Sequence, residues 1–326
     1  MIRFFRSPQP AALFVIPFIA IVLWLQGWFS LPVYPGGITT PLWSALVPLF
    51  NALPSWLNVL VMVAVVSGGA IYFNLLINRY DVLYKNSYVP ALLYVLLASS
   101  LTPVLEVHPL HFINLLLLRI MSSVFSFFKK ERAVPQLFNG GFLISVAVVL
   151  YLPLFPLLLF YLFTLALMRD FNLREWLTAL VGMALPFFYL AVWWFPDTLM
   201  DQLQLLREYI TAYKIPGWTH FSENVYWLSG YLVFLLILGL LRLRSHYYKN
   251  IVRTRMYQQV VLLLLLFAAA VTYLMGGCRP VNFLLLIIPM SIVMAYYLIS
   301  AKRRQWLYEF ILWILVGLIV WNHTGF

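Results

Sequence analysis

The chain has 326 residues, of which 64% are hydrophobic and only 10% are charged, and its formal net charge is +11. Soluble domains carry about 25% charged residues, so this composition excludes a water-soluble globular protein and predicts an all-α, polytopic membrane protein with one transmembrane domain over residues 1–326. Short cytoplasmic loops of such proteins are rich in Lys and Arg. We therefore assign the positive charge to these loops and expect no nucleic-acid partner.

Apolar segments predict about eleven spans along the chain. Arg3 and Arg6 precede the first, which we expect to be retained because it lacks the short core and cleavage site of a signal peptide. The segments are 11–29, 55–77, 88–105, 110–128, two short arms within 139–168, then 176–195, 225–241, 257–275, 281–299 and 306–320.

The segment 139–168 allows two interpretations, one long kinked span or a hairpin that folds back near Pro153 and Pro156. Charge bias favours the hairpin, because it keeps the later Lys- and Arg-rich loops on the cytoplasmic side. Only Arg207, Lys214 and Arg279 then fall in outer loops. This topology predicts a cytoplasmic N-terminus and a periplasmic C-terminus.

The longest polar stretch, 197–224, has an amphipathic pattern. Leu199, Leu203, Leu206 and Ile210 recur at helical spacing, with acidic and amide residues between them. We expect this segment to lie on the periplasmic surface, where it is a candidate contact for a periplasmic or membrane protein partner.

Arg119 lies within an apolar helical segment. An arginine at the centre of a membrane helix costs roughly 2.5–3.5 kcal/mol on insertion scales, so a compensating partner is expected. Ser122, Ser123 and Ser126 follow at helical spacing and His111 lies two turns before. Two interpretations remain: a substrate-binding site for an anion, in which Arg119 and Ser122 take part, or a structural arginine bonded to carbonyls or a buried carboxylate.

Glu106, His108 and His111 form a second polar group before the same helix. Glu106 or His111 could accept a proton if a reaction occurs, and His108 and Arg279 are further candidate substrate-binding residues. The alternative is a solvated turn at the level of the lipid headgroups. Metal-binding, cofactor-binding and nucleotide-binding motifs are absent from the sequence, so we expect no metal and no cofactor.

Charged pairs occur in the loop after the proposed hairpin. Arg169 is followed by Asp170, and Arg174 by Glu175. We expect these charges to form a compact loop with mutual salt bridges.

Three short motifs carry a family resemblance: MIRFFRSPQP at the start, FNGGF at 138–142, and RDFNLREW at 169–176 followed by Gly182 and Pro186. On these motifs the chain resembles an uncharacterised family of Bacteroidetes inner-membrane proteins. The resemblance implies the bacterial inner (cytoplasmic) membrane and implies no activity.

The residues favour a protein that binds or processes a lipid-linked anionic substrate, of the polyprenyl-phosphate or glycan type, at the periplasmic face. Membrane lipids are its expected surroundings, and whether it is an enzyme stays open. One alternative is a non-enzymatic subunit or scaffold of a cell-envelope assembly. Another is a secondary transporter, which the scarcity of acidic residues within the spans disfavours.

Overall fold

The structure, a computed structural model, describes residues 2–6, 10–36, 40–128, 130, 133–194, 200–201, 203–204, 207, 223–274, 280–300 and 305–324. Within these ranges the longer elements are α-helices, and an isolated bridge pairs Val33 with Val107. The helices are α1 (Ile2–Arg6), α2 (Ala11–Leu23), α3 (Pro41–Ala52), α4 (Ser55–Arg79), α5 (Val89–Ala98), α6 (Pro109–Ser126), α7 (Val134–Leu150), α8 (Pro156–Met168), α9 (Leu173–Trp194), α10 (Glu223–His246), α11 (Val252–Leu274), α12 (Ile287–Ile299) and α13 (Gln305–Thr324).

Length and hydropathy indicate a membrane protein. In the part of the chain that the structure describes, seven helical segments are long and apolar enough to cross a bilayer: α4, α6, α9, α10 with its 3-10 extension to Lys249, α11, α12 with its 3-10 start at Val281, and α13. The same part contains four shorter apolar helices, Ala11–Leu23, Val89–Ala98, Val134–Leu150 and Leu152–Met168. The all-helical class predicted from the sequence is thus found across the described residues.

The short helix α5 is buried along its whole length. All ten of its residues, from Val89 to Ala98, are shielded by neighbouring helices. A lone helix facing lipid needs about 20 apolar residues to span the hydrocarbon. Because α5 lies inside the bundle, other helices and not lipid surround it.

Helices α7 and α8 fold back on each other, as the hairpin interpretation requires. Tyr151 ends α7 in an extended conformation, and a 3-10 turn over Leu152–Leu154 leads into α8. Pro153 and Pro156 favour this break, because proline has no N–H to continue the hydrogen bonds of α7, and each lies in the first turn of the element that follows, where that donor is not needed. The Tyr161 hydroxyl of α8 then donates to the carbonyl of Leu137 near the start of α7 (2.8 Å).

The helices alternate between two ends of the bundle. At one end, Tyr80 after α4 donates to the Ser122 carbonyl of α6, and Thr254 of α11 donates to the Asp81 carbonyl. We call this the basic end; it carries Arg79, Lys130, Arg169, Arg174, Arg242, Arg244, Lys249, Arg253 and Arg255. At the opposite, far end, Asn322 of α13 donates to the Ser100 carbonyl that follows α5.

Glycines bring α7 and α9 into backbone contact. A Cβ atom added at Gly141 would lie 2.5 Å from the carbonyl oxygen of Ala179, and one at Gly182 would lie 2.5 Å from that of Phe138. Both helices begin at the basic end and run parallel. Small residues permit such close approach in membrane helices, where van der Waals packing and not the hydrophobic effect drives association.

A buried ion pair joins three segments at the basic end. Arg169 Nε and Nη2 each donate to the Glu175 carboxylate at 2.7 Å. Nη1 donates to the carbonyls of Phe127 (2.9 Å) and Lys130 (2.7 Å). The salt bridge predicted within this loop is found between Arg169 and Glu175: because α9 begins at Leu173, Glu175 is buried while Arg174 is exposed.

Candidate functional site

The polar side of α6 lines a cavity of about 470 Å³ between α4, α6 and α7 at the basic end. We call it the Arg119 cavity. Arg119 and Ser122 reach it from α6, Arg79 from the end of α4 and Asn139 from the first turns of α7. The complete lining is Arg79, Tyr80, Arg119, Ser122, Ser123, Ser126, Gln136, Asn139, Phe142 and Leu143.

The cavity is cationic. Arg119 is exposed, and among the described residues its guanidinium has neither a hydrogen bond nor an ion pair. Arg79 is also exposed and lies 5.8 Å from the centre of the Tyr80 ring. The lining contains no Asp or Glu, so two positive charges share this space without a carboxylate partner in the described part of the chain.

Neutral hydrogen-bonding groups surround the two arginines. Two serine hydroxyls already donate within the protein, Ser123 to the Gln136 carbonyl and Ser126 to the Ser123 carbonyl (2.7 Å each). The hydroxyl of Ser122 makes no such bond to a described residue, while its carbonyl accepts from Tyr80. Ser122 and the exposed amide of Asn139 can therefore donate to a bound anion.

A third cation lies at the rim. In the amide orientation that satisfies its neighbours, the Gln136 side chain donates to the Ala133 carbonyl (3.3 Å) and accepts from Lys130 Nζ (2.7 Å). Lys130 is exposed. Lys130 thus adds a positive charge next to the cavity, on the lining residue Gln136.

Glu106, His108 and His111 lie at the opposite end of α6 and have structural contacts. Nδ1 of His108 accepts from the backbone N–H of Leu110 (3.1 Å) and so caps α6, while its Nε2 lies 3.9 Å from a carboxylate oxygen of Glu106. Nε2 of His111 lies 3.1 Å from the carbonyl of Val104. Both imidazoles are buried, with exposed fractions of 3% and 2%.

The candidate residues therefore separate into two groups. Arg119 and Ser122 share one cavity, whereas His111 is eight residues earlier, about 12 Å along the helix axis. Arg279 and most of 197–224, including Leu199, Leu206 and Ile210, lie outside the described residues. Within the described part of the chain, no group of three His, Cys, Asp or Glu residues is arranged to hold a metal ion.

Two cavity residues, Arg79 and Asn139, were not predicted as binding residues. Each stands at a helix end in the sequence, where a loop charge or a capping amide is the ordinary interpretation. Their position near the predicted ends of α4 and α7 could have suggested a role, but only if these ends were known to contact the second half of α6. That meeting depends on helix packing and is not visible in local sequence.

Comparison with known proteins gives a family match over nearly the whole chain. A profile described as "Family of unknown function (DUF6427)" matches residues 26–324. The chain belongs to this family. The DUF6427 match covers α3 to α13 and thus every residue of the Arg119 cavity. No curated protein and no solved structure matches the chain.

Proposed function

We propose that this DUF6427 protein binds the anionic head of a membrane-embedded amphiphile, such as a phospholipid or a polyprenyl phosphate, in the Arg119 cavity. One observation carries the proposal: Arg119 faces a cavity that contains a second arginine and no carboxylate. Binding is proposed without a reaction, because the candidate proton acceptors Glu106 and His111 lie at the far end of α6.

The charge balance of the cavity supports an anionic ligand. A guanidinium at membrane depth is normally paired with a carboxylate, a carbonyl or water. The structural interpretation of Arg119 needs such a partner, and the described residues provide none. A phosphate or carboxylate can accept two parallel hydrogen bonds from one guanidinium, and Arg79, Ser122 and Asn139 could satisfy its remaining oxygens.

We further propose eleven spans in a bacterial inner membrane, with the basic end in the cytoplasm and the C-terminus in the periplasm. The positive-inside tendency supports this orientation, since the loops at the basic end contain most of the Lys and Arg residues. In this orientation, the Arg119 cavity binds the heads of amphiphiles in the cytoplasmic leaflet. The sequence instead predicted that the substrate binds at the periplasmic face. That would require Arg119 to act together with the residues near His111.

Cysteine labelling tests the orientation. In a Cys278→Ser background, a cysteine at position 249 should resist a membrane-impermeant maleimide in intact cells and react after the cells are opened. The native Cys278 directly precedes Arg279, which the sequence predicts in an outer loop. It should react in intact cells and serves as the opposite control. Labelling of position 249 in intact cells would contradict the proposed orientation.

Binding of a short-chain phosphatidate tests the head site. Dihexanoyl phosphatidate would be titrated onto the purified protein in neutral detergent and followed by native mass spectrometry. Arg119→Gln should weaken binding at least about tenfold, because a hydrogen bond to a charged group contributes roughly 1.5–3 kcal/mol.

Arg174→Gln is the matched control, because it removes one exposed positive charge from the same end of the bundle but outside the cavity. It should leave the affinity within about twofold, since exposed charges contribute little. An equal loss of phosphatidate affinity in the two variants would indicate that the basic end attracts the anion through its overall charge and not through a specific site. Unchanged binding by Arg119→Gln would remove the basis of the proposal.

A further inference from the structure

An apolar groove continues from the Arg119 cavity toward the far end. It has a volume of about 220 Å³ and lies between α3, α7 and α9. Its lining is entirely apolar or aromatic and includes Leu42, Ala45, Val146, Val149, Pro186 and Trp193. Part of this lining is open to the surroundings, because Trp193 is 77% and Tyr189 is 60% exposed.

The groove and the cavity share one face of α7. Asn139 and Leu143 line the cavity, Val146 and Val149 line the groove, and Phe142 belongs to both. These positions are three or four residues apart and therefore follow one another along one side of the helix. The face changes from polar to apolar over about 15 Å, the rise of the ten residues from Asn139 to Val149.

We propose that the groove holds the hydrocarbon chain of the same amphiphile whose head occupies the Arg119 cavity. This inference rests on the proposed head site, and it adds the position and direction of the chain. The continuity of a cationic cavity with an apolar groove matches a molecule with an anionic head and a hydrocarbon tail. The head lies toward the basic end and the tail points toward the far end.

The dimensions agree with a lipid of the leaflet at the basic end. Half of a hydrocarbon core about 30 Å thick is about 15 Å, which matches the rise of the α7 face from Asn139 in the cavity to Val149 in the groove. A chain in a bilayer is already out of water, so no hydrophobic transfer favours the groove. Close packing against Phe142, Val146 and Pro186 instead favours a defined chain position.

Photo-crosslinking from two positions on one lipid tests the proposal. Two long-chain phosphatidates would be used with the full-length protein in nanodiscs, one with a diazirine beside the glycerol and one with a diazirine at the chain end. Crosslinked peptides would be mapped by mass spectrometry. The head label should attach around Ser122 and Asn139, and the chain-end label around Val149, Tyr189 and Trp193.

Two variants separate the head site from the groove. Ala45→Trp fills the groove from α3 and should lower chain-end labelling of α7 and α9 about fivefold or more, because the bulky ring takes the volume of the chain. Head labelling in Ala45→Trp should stay unchanged. Leu46→Trp, at an exposed neighbouring position outside the groove lining, is the matched control. Arg119→Gln should lower crosslinking of the head label and of the chain-end label together.

Each result decides one of the two proposals. Head labelling in the cavity with chain-end labelling spread evenly over the lipid-facing helices would overturn the groove proposal and leave the head site standing. Absence of head labelling in the cavity would overturn the proposed function itself. Should Ala45→Trp fail to fold, the wild-type labelling map still decides between these outcomes.

Discussion

Replacing Gly182 with alanine should lower the unfolding temperature of the protein in detergent by about 5 °C or more. The added Cβ atom would lie 2.5 Å from the Phe138 carbonyl oxygen and 3.2 Å from its carbon, both backbone atoms of α7. A backbone cannot rotate away as a flexible side chain can. Overpacking in a well-packed interior costs roughly 1–3 kcal/mol, and each 1 kcal/mol shifts the melting temperature by about 2–4 °C in mid-sized domains.

Gly141→Ala should have a comparable effect, because its Cβ atom would meet the Ala179 carbonyl oxygen at the same distance. Gly68→Ala and Gly317→Ala are the matched controls, since their added Cβ atoms would have no neighbour within 4 Å. Both controls should be neutral or slightly stabilising, because alanine exceeds glycine in helix propensity by about 1 kcal/mol. A Gly182→Ala protein as stable as these controls would contradict the α7–α9 contact.

Removing the negative charge of Glu175 should destabilise the protein by about 3 kcal/mol or more, because breaking a buried pair leaves a buried charge unpaired. The Glu175 and Arg169 side chains are only 8% and 14% exposed. Glu175→Gln keeps the shape but removes the negative charge and replaces one of the two acceptor oxygens with an NH2 donor, so the guanidinium keeps only neutral partners. Thermal unfolding in detergent measures the effect.

Arg169→Lys should be less stable than the wild type although it keeps the positive charge. A lysine cannot reproduce the two parallel bonds to Glu175 together with the bonds to the Phe127 and Lys130 carbonyls. Asp170→Asn and Arg174→Gln remove exposed charges from the same loop and should change stability by less than about 0.5 kcal/mol. If Arg169→Lys were as stable as the wild type, the fork-like geometry at Glu175 would be irrelevant to stability.

Local sequence predicted the helices well because their causes are local. Apolar runs and proline positions lie within single segments, and the break at Pro153 and Pro156 appears in the structure as the end of α7 and the start of α8. The partners of Arg169 could not be predicted in the same way. The sequence predicted salt bridges among these charges but not which residues pair, because neighbouring residues on a helix face different directions and the start of α9 turns Glu175 inward.

The sequence by itself determined the helical membrane class, the order of the apolar segments and the polar side of α6, because these depend on composition and helical periodicity. Only the tertiary structure decided that Arg119 shares a cavity with Arg79 and Asn139 and not with His108 and His111. The reason is geometric. Periodicity defines the sides of one helix, whereas the packing of α4 and α7 against the second half of α6 determines which side chains meet there.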